Sequence, residues 1–238
     1  MTFTKAAIFG ASGGIGGAMT SALAERGTDV HAGSRSGSVP SHERITPFTF
    51  DLEDEASIAA AVAPWKDDPP DLVVVASGVL TLPDGTGPER SFKHLDGDVM
   101  AAVLRLNAIG PALIAKHVLP LLSRDRPAMF AALSARVGSI GDNRIGGWHS
   151  YRASKAALNM LIRNFAIEMA RTHKRASVVG LHPGTVDTTL SQPFQKNLPE
   201  GQLSARTEAA DHLLGVLEGL GPDDSGKVFD WKGDKIEP

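Results

Sequence analysis

A short apolar run, Lys5-Ala6-Ala7-Ile8-Phe9, passes without a spacer into Gly10-Ala11-Ser12-Gly13-Gly14-Ile15-Gly16-Gly17, and this junction constrains the fold more than any other part of the chain. The run suits a buried strand, and Ala18 to Arg26 is a good helix sequence that stops at Gly27. Strand, glycine turn and helix in that order set the segment apart from a glycine-rich surface loop. Glycines permit positive φ and let the backbone approach a ligand, while the unpaired N–H groups at a helix start attract a pyrophosphate. Gly10, Ser12, Gly13, Gly14, Ile15 and Gly16 are therefore the candidate residues for holding one.

Short β-branched and apolar runs recur at Asp29 to Gly33, Ile45 to Asp51, Leu72 to Ser77, Ala128 to Ser134, Ser177 to His182 and Lys227 to Trp231. With the first run they make about seven strands. Helical stretches near Glu55 to Val62, Asp98 to Leu122, Ser150 to Arg171 and Thr207 to Leu220 lie between them. Strands apolar through their length and alternating with helices predict an α/β fold: a doubly wound Rossmann-type sheet, mainly parallel, with helices on both faces. Ligands of such sheets sit beyond the carboxyl ends of the strands, near the topological switch point.

The 238 residues, 42% of them hydrophobic, suffice for one substantial core, and no composition break or repeat marks a linker, so residues 1–238 are expected to form one domain. With no cysteine, disulfides and thiolate catalysis are excluded. The net charge of −3 is mild and no lysine/arginine cluster suggests a nucleic-acid surface; the eight histidines lack the spacing of a metal site. Met1 to Lys5 leaves no room for a secretory signal, and no apolar stretch is read as approaching the ~20 residues of a membrane span. The expectation is a cytoplasmic protein without metal, membrane or nucleic-acid partners.

Ser150-Tyr151-Arg152-Ala153-Ser154-Lys155 places a phenol and an amine four residues apart in a strongly helix-forming run, hence on one helix face. An ammonium beside the phenol favours phenolate and moves tyrosine toward the range where a general acid/base works. The spacing Gly10-x-x-x-Gly14-x-Gly16 together with Tyr151-x-x-x-Lys155 resembles the short-chain dehydrogenase/reductase superfamily over essentially the whole chain. Gly138-Ser139-Ile140-Gly141-Asp142-Asn143, Gly146-Gly147-Trp148 and Tyr151 to Asn159 look most like its C-factor and sniffer-type carbonyl reductase branch.

The resemblance implies a nicotinamide dinucleotide. In NAD-binding relatives an acidic residue ends the second strand, and in NADP-binding ones a basic residue meets the 2′-phosphate. Here the acidic position is Ser34 and Arg35 follows it, so NADP(H) is preferred, with NAD(H) as the alternative. Asp51, followed by Leu52, would receive the adenine amino group, in competition with a capping role for the next helix. Ser77-Gly78 stands within Val75-Ala76-Ser77-Gly78 where many relatives carry Asn-Asn-Ala-Gly, and Pro183, Gly184, Val186 and Thr188 match the segment that contacts the nicotinamide amide.

The resemblance further implies a proton relay in which Tyr151 exchanges a proton with the substrate oxygen, Lys155 lowers its pKa and binds the nicotinamide ribose, and Asn107 holds a water. The relay's serine is missing: its position is Ala135, with Ser134 one place early and Ser139 in the following loop, the latter slightly preferred as substitute. A substrate loop is expected near 188–204, with Gly146 to His149 completing the pocket for a small-molecule carbonyl or secondary alcohol. Met160, Phe165 and Met169 fit a homodimer or homotetramer interface and core packing equally well. A nucleotide-binding signalling role with vestigial catalysis is the alternative function, motivated by Ala135.

Overall fold

The first run behaves as its alternation requires. In β1 (Lys5–Phe9) Ala7 and Phe9 enter one apolar cluster and Ala6 and Ile8 the other, so the strand is buried on both faces. The computed structural model describes residues 2–197, Pro199 and 201–238. After β1 come α1 (Gly14–Glu25), β2 (Asp29–Ser34), β3 (Ile45–Thr49), α2 (Glu55–Val62) and β4 (Leu72–Val75). They are followed by α3 (Gly97–Leu104), α4 (Gly110–Val118), β5 (Ala128–Leu133), α5 (His149–Met169) and β6 (Ala176–His182). The chain closes with β7 (Thr185–Val186), β8 (Leu203–Ser204), α6 (Arg206–Gly219), β9 (Val228–Asp230) and β10 (Lys235–Ile236).

Eight strands form one sheet in the order β10-β9-β6-β5-β4-β1-β2-β3. All neighbours are parallel except β10, which pairs antiparallel with β9 at the edge. The expected count of about seven is thus corrected to eight in the sheet, with β7 and β8 forming a separate two-stranded pair. The three unforeseen strands have two residues each, too few for an alternation pattern.

One face carries α1 and α6, with Ile8, Met19, Leu23, Leu213 and Leu214 in contact; the other packs Phe9, Phe130, Ile58, Ile114, Leu158 and Ile162 beneath the remaining helices. Each such side chain stabilises the fold by about 1.5–3 kcal/mol. Strand order reverses around β1, whose neighbours are β2 and β4, so the glycine turn after β1 opens at the switch point.

Helix α1 begins at Gly14 rather than at Ala18. Gly16 tolerates no larger residue, since a Cβ there would lie 2.3 Å from the Gly10 carbonyl oxygen. The stretch from 97 to 121 is continuous helix, long and apolar enough by composition to cross a membrane, against the expectation that no segment approaches that length. In this fold Val103, Asn107, Ile114, Ala115 and Val118 are its buried face, and it packs on α5 and α2. Of the three apolar positions considered for assembly, Met169 is buried and Phe165 packs on the core, leaving Met160 exposed.

Candidate active site

The glycine turn is held by its own backbone. Gly10 sits at φ +96°, and its N–H and that of Ala11 both donate to the Gly33 carbonyl at 2.9 and 2.8 Å, tying the turn to the end of β2. No side chain caps α1 at Gly13, which leaves first-turn N–H groups to an incoming anion. A Cβ on Gly14 would lie 2.6 Å from the Thr188 methyl and 3.3 Å from Cδ of Arg206, so the turn is a cradle roofed by the chain beyond β7. These features fit the pyrophosphate of a dinucleotide.

The turn opens into a cavity of about 850 Å³. Ser12, Gly13, Gly14 and Ile15 line one end, Ser77, Gly78, Tyr151 and Lys155 the middle, and Pro183, Gly184, Val186 and Thr188 the facing side. Gly10 and Gly16 shape the turn behind this lining. Ser34, Arg35, Asp51 and Leu52 lie outside the cavity proper. The Ser34 hydroxyl is buried and donates to the Ser38 carbonyl, whereas Arg35 is exposed. The capping of α2 falls to Asp54, which accepts from Ala56 N–H; the Asp51 carboxylate accepts from Glu53 N–H, and Leu52 packs under Gly110.

Asn107 occupies a π-helical turn, Arg105–Ile109, between α3 and α4, closed by the Gly110 N–H bonding back to the Arg105 carbonyl. Its side chain is fully buried: Oδ1 accepts from Val79 N–H at 2.8 Å, and Nδ2 donates to the Val79 carbonyl at 2.8 Å and to Ser154 Oγ at 3.1 Å. A Cβ on Gly78 would lie 3.0 Å from Asn107 Oδ1 and 3.5 Å from Lys155 Nζ. A side chain there would press on the Asn107 amide.

Tyr151 and Lys155 lie on the buried face of α5 and share the cavity wall. Lys155 Nζ donates to the Leu133 carbonyl at 2.8 Å and stands 5.8 Å from the Tyr151 ring centroid. The expected lowering of the tyrosine pKa does not occur in this arrangement. Burial pushes the phenol up to about 12 and the lysine down to about 8, because both groups lose water and the ammonium's bond is to a carbonyl.

Neither candidate serine is among the cavity-lining residues; Ala135 is. Ser134 Oγ turns to Asn159 Oδ1 at 2.5 Å. Ser139 Oγ accepts from Asp142 N–H at 3.0 Å and donates to the Pro238 carbonyl at 3.4 Å, which ties the β5–α5 loop to the residues after β10. Ser139 is therefore not brought to Tyr151.

The substrate end is apolar: Leu80, Leu82, Val137, Trp148 and Phe194 line it. Trp148 packs edge-on against Tyr151 at 6.2 Å and Phe194 at 5.1 Å, so the segment after Thr188 closes on α5. That segment holds the 3-10 turn Gln192–Asn197 and β8; within it Leu198 and Glu200 lie outside the described residues. Trp148 has left-handed backbone, φ 51°, a strained state for a bulky residue. Glu89 holds it there: its carbonyl accepts from Trp148 N–H at 2.5 Å, and its carboxylate accepts from the N–H and hydroxyl of Ser150, capping α5. Glu89 stands 61 residues before Ser150 and had no sequence signal. Arg206, also unforeseen, lines the cavity at the glycine turn.

The family model described as short chain dehydrogenase matches residues 4–199. The C-signal protein of Myxococcus xanthus is 35% identical over 144 residues, covering 59% of this chain and 81% of that one, in agreement with the C-factor-type resemblance. The 1-hydroxy-2-glutathionyl-2-methyl-3-butene dehydrogenase of Rhodococcus is 33% identical over 224 residues, covering 92% and 93%. Among solved structures, the NADPH-bound carbonyl reductase from chicken fatty liver superposes with a TM-score of 0.84 at 25% identity, over 100% of this chain and 95% of that one. The match of the family model over most of the chain, on a sheet and cavity of the kind described, makes this protein an oxidoreductase of the short chain dehydrogenase family.

Proposed function

We propose that the chain is an NADP(H)-dependent reductase of carbonyl compounds, acting as one unit over residues 1–238 in the cytoplasm, with an apolar carbonyl or secondary alcohol as substrate. The observation that carries this reading is that Tyr151 and Lys155 face the same cavity as the glycine turn. The preference for NADP(H) is supported by exposed Arg35 after Ser34 and by the NADPH-bound chicken carbonyl reductase.

Gly13 to Ile15 would hold the dinucleotide's phosphates, Arg35 its 2′-phosphate, Asp51 and Leu52 its adenine, and Lys155 with Pro183 to Thr188 its nicotinamide end. When bound, the cofactor supplies the hydride. The chain's own part is the proton and the fit. Tyr151, which burial pushes further up, is protonated at neutral pH, the form that can donate a proton to a carbonyl oxygen. Asn107 fixes the Val79 backbone, and Trp148 with Phe194 excludes water from the substrate end. The missing hydroxyl at Ala135 leaves Tyr151 as the principal donor. A purely regulatory nucleotide-binding role is the weaker reading, because packing alone does not call for a buried lysine beside a buried tyrosine.

The test is NADPH oxidation across aldehydes, ketones and quinones, beside NADH and the Tyr151→Phe variant. Turnover that prefers NADPH and falls at least ~10²–10⁴-fold in the variant, with cofactor affinity retained, is expected. A Tyr151→Phe protein with full turnover defeats the assignment, and tight NADPH binding without turnover on any carbonyl favours the regulatory role.

A further inference from the structure

The cavity's charge is one-sided. Among the described residues its lining contains the cations Lys155 and Arg206 and no aspartate or glutamate. Lys155 is buried at the middle of the cavity. Arg206, the first residue of α6, is exposed and stands at the other end, its Cδ 3.3 Å from the point that a Cβ on Gly14 would occupy. Its Nε donates to the Asp187 carbonyl at 2.7 Å. That bond fixes the plane of the guanidinium and uses one of five N–H donors; the four on Nη1 and Nη2 have no hydrogen bond or ion pair among the described residues. No acidic residue stands in the first turn of α1 to compete for them.

We infer that Arg206 is a diphosphate-binding residue that closes the cofactor site from the side opposite the glycine turn. The inference rests on the dinucleotide reading above and adds to it a cation contributed from beyond the substrate loop. The glycine turn offers backbone N–H groups, which are neutral donors. Arg206 adds a full charge and a planar pair of donors suited to two oxygens of one diphosphate. Its anchor has a second consequence. Asp187, whose carbonyl holds Nε, also accepts from Gln195 Nε2 through its carboxylate at 3.1 Å, so the group that grips the diphosphate is tied to the turn bearing Phe194. The diphosphate contact and the apolar cap over Tyr151 therefore belong to one connected segment.

The test is calorimetric titration of the full-length protein with NADPH, NADH and adenosine 2′-monophosphate, the last carrying the adenine-ribose end without a diphosphate. Arg206→Met is expected to raise the Kd of whichever dinucleotide binds by about tenfold or more while leaving 2′-monophosphate binding unchanged. Arg206→Lys should recover part of the loss, since it keeps the charge and loses the fork. Arg35→Met provides the contrast, weakening NADPH and the 2′-monophosphate together. A dinucleotide Kd within twofold of wild type in Arg206→Met overturns the inference and leaves the cofactor reading intact. Equal weakening of dinucleotide and 2′-monophosphate by Arg206→Met also overturns it, because the effect would not be local to the diphosphate. Failure of wild type to bind either dinucleotide overturns the cofactor reading itself, and the inference with it.

Discussion

The two walls that meet over the substrate end are built from similar residue types and behave differently. Along α5, Tyr151 and Lys155 reach the cavity, and Ser154 supports them by bonding Asn107. At the end of β5 and in the loop after it, Ser134 and Ser139 are as buried as Lys155, yet the lining residue is Ala135. On the helix, spacing alone decides which side chains share a face, and a neighbouring polar group can be supplied locally. In the loop, each hydroxyl is claimed by a structural partner, Asn159 for Ser134 and Asp142 with Pro238 for Ser139. A hydroxyl near a site is chemically available only if packing has not already used it.

The largest effect expected within this contrast is that of Lys155→Met. Removal of a charged donor from a water-poor site should lower turnover about 10²–10³-fold. The same change should not destabilise the fold at neutral pH, because burial already depresses the lysine from 10.5 to about 8. The sign follows from proton counting. Between about pH 8 and 10.5 the unfolded chain holds a proton that the folded one has released, so wild-type stability rises with pH there, by up to about 3 kcal/mol. Above pH 10 Tyr151 acts oppositely: the unfolded phenol ionises while the folded one, at about 12, does not, and stability falls. Urea midpoints at pH 7, 8, 9 and 10 should climb in wild type and stay flatter in Lys155→Met. A wild type as flat as the variant would mean that Lys155 is hydrated and that this wall is not the dry one described.

Ala135→Ser works on the other wall. The backbone at 135 is extended, φ −154° and ψ 146°, a conformation that serine adopts without strain, and the alanine already lines the cavity. A hydroxyl there is expected to add a donor to the substrate oxygen and raise kcat about tenfold, below the 10²–10³ that such donors supply where the whole site has been shaped around them. Steady-state kinetics on the best carbonyl from the substrate panel measures it. No gain, or a loss, would show that Tyr151 alone already saturates the oxygen's hydrogen bonding.

The same contrast explains how much the sequence reveals. Gly10-x-x-x-Gly14-x-Gly16 and Tyr151-x-x-x-Lys155 are legible because each is a local pattern on a single strand–turn–helix or helix. The parallel sheet is legible because apolar runs such as Leu72 to Val75 are buried on both sides. What escapes depends on contacts across the fold. Glu89 capping α5 spans 61 residues, Arg206 reaches the glycine turn from the start of the last helix, and β10 exists only by pairing with β9. The lysine's influence on Tyr151 is illegible for another reason: spacing brings the pair together, but burial, which spacing does not report, sets the direction of both shifts.

Ser139→Ala is the smallest effect and the cleanest test of the division between the walls. Ser139 Oγ accepts from Asp142 N–H at 3.0 Å and donates to the Pro238 carbonyl at the longer 3.4 Å, while Gly141 N–H also donates to that carbonyl at 3.0 Å. Removing the hydroxyl leaves Pro238 with a partner and strands only the Asp142 N–H, a loss of about 1 kcal/mol. For a chain of this length that lowers Tm by roughly 2–4 °C. Because the hydroxyl does not line the cavity, kcat and KM should both stay within about twofold of wild type, a range too narrow for a lost oxyanion-type donor. Scanning calorimetry and kinetics on the same preparation separate the two. A variant with unchanged Tm and turnover reduced a hundredfold would return Ser139 to the relay and erase the difference between the walls.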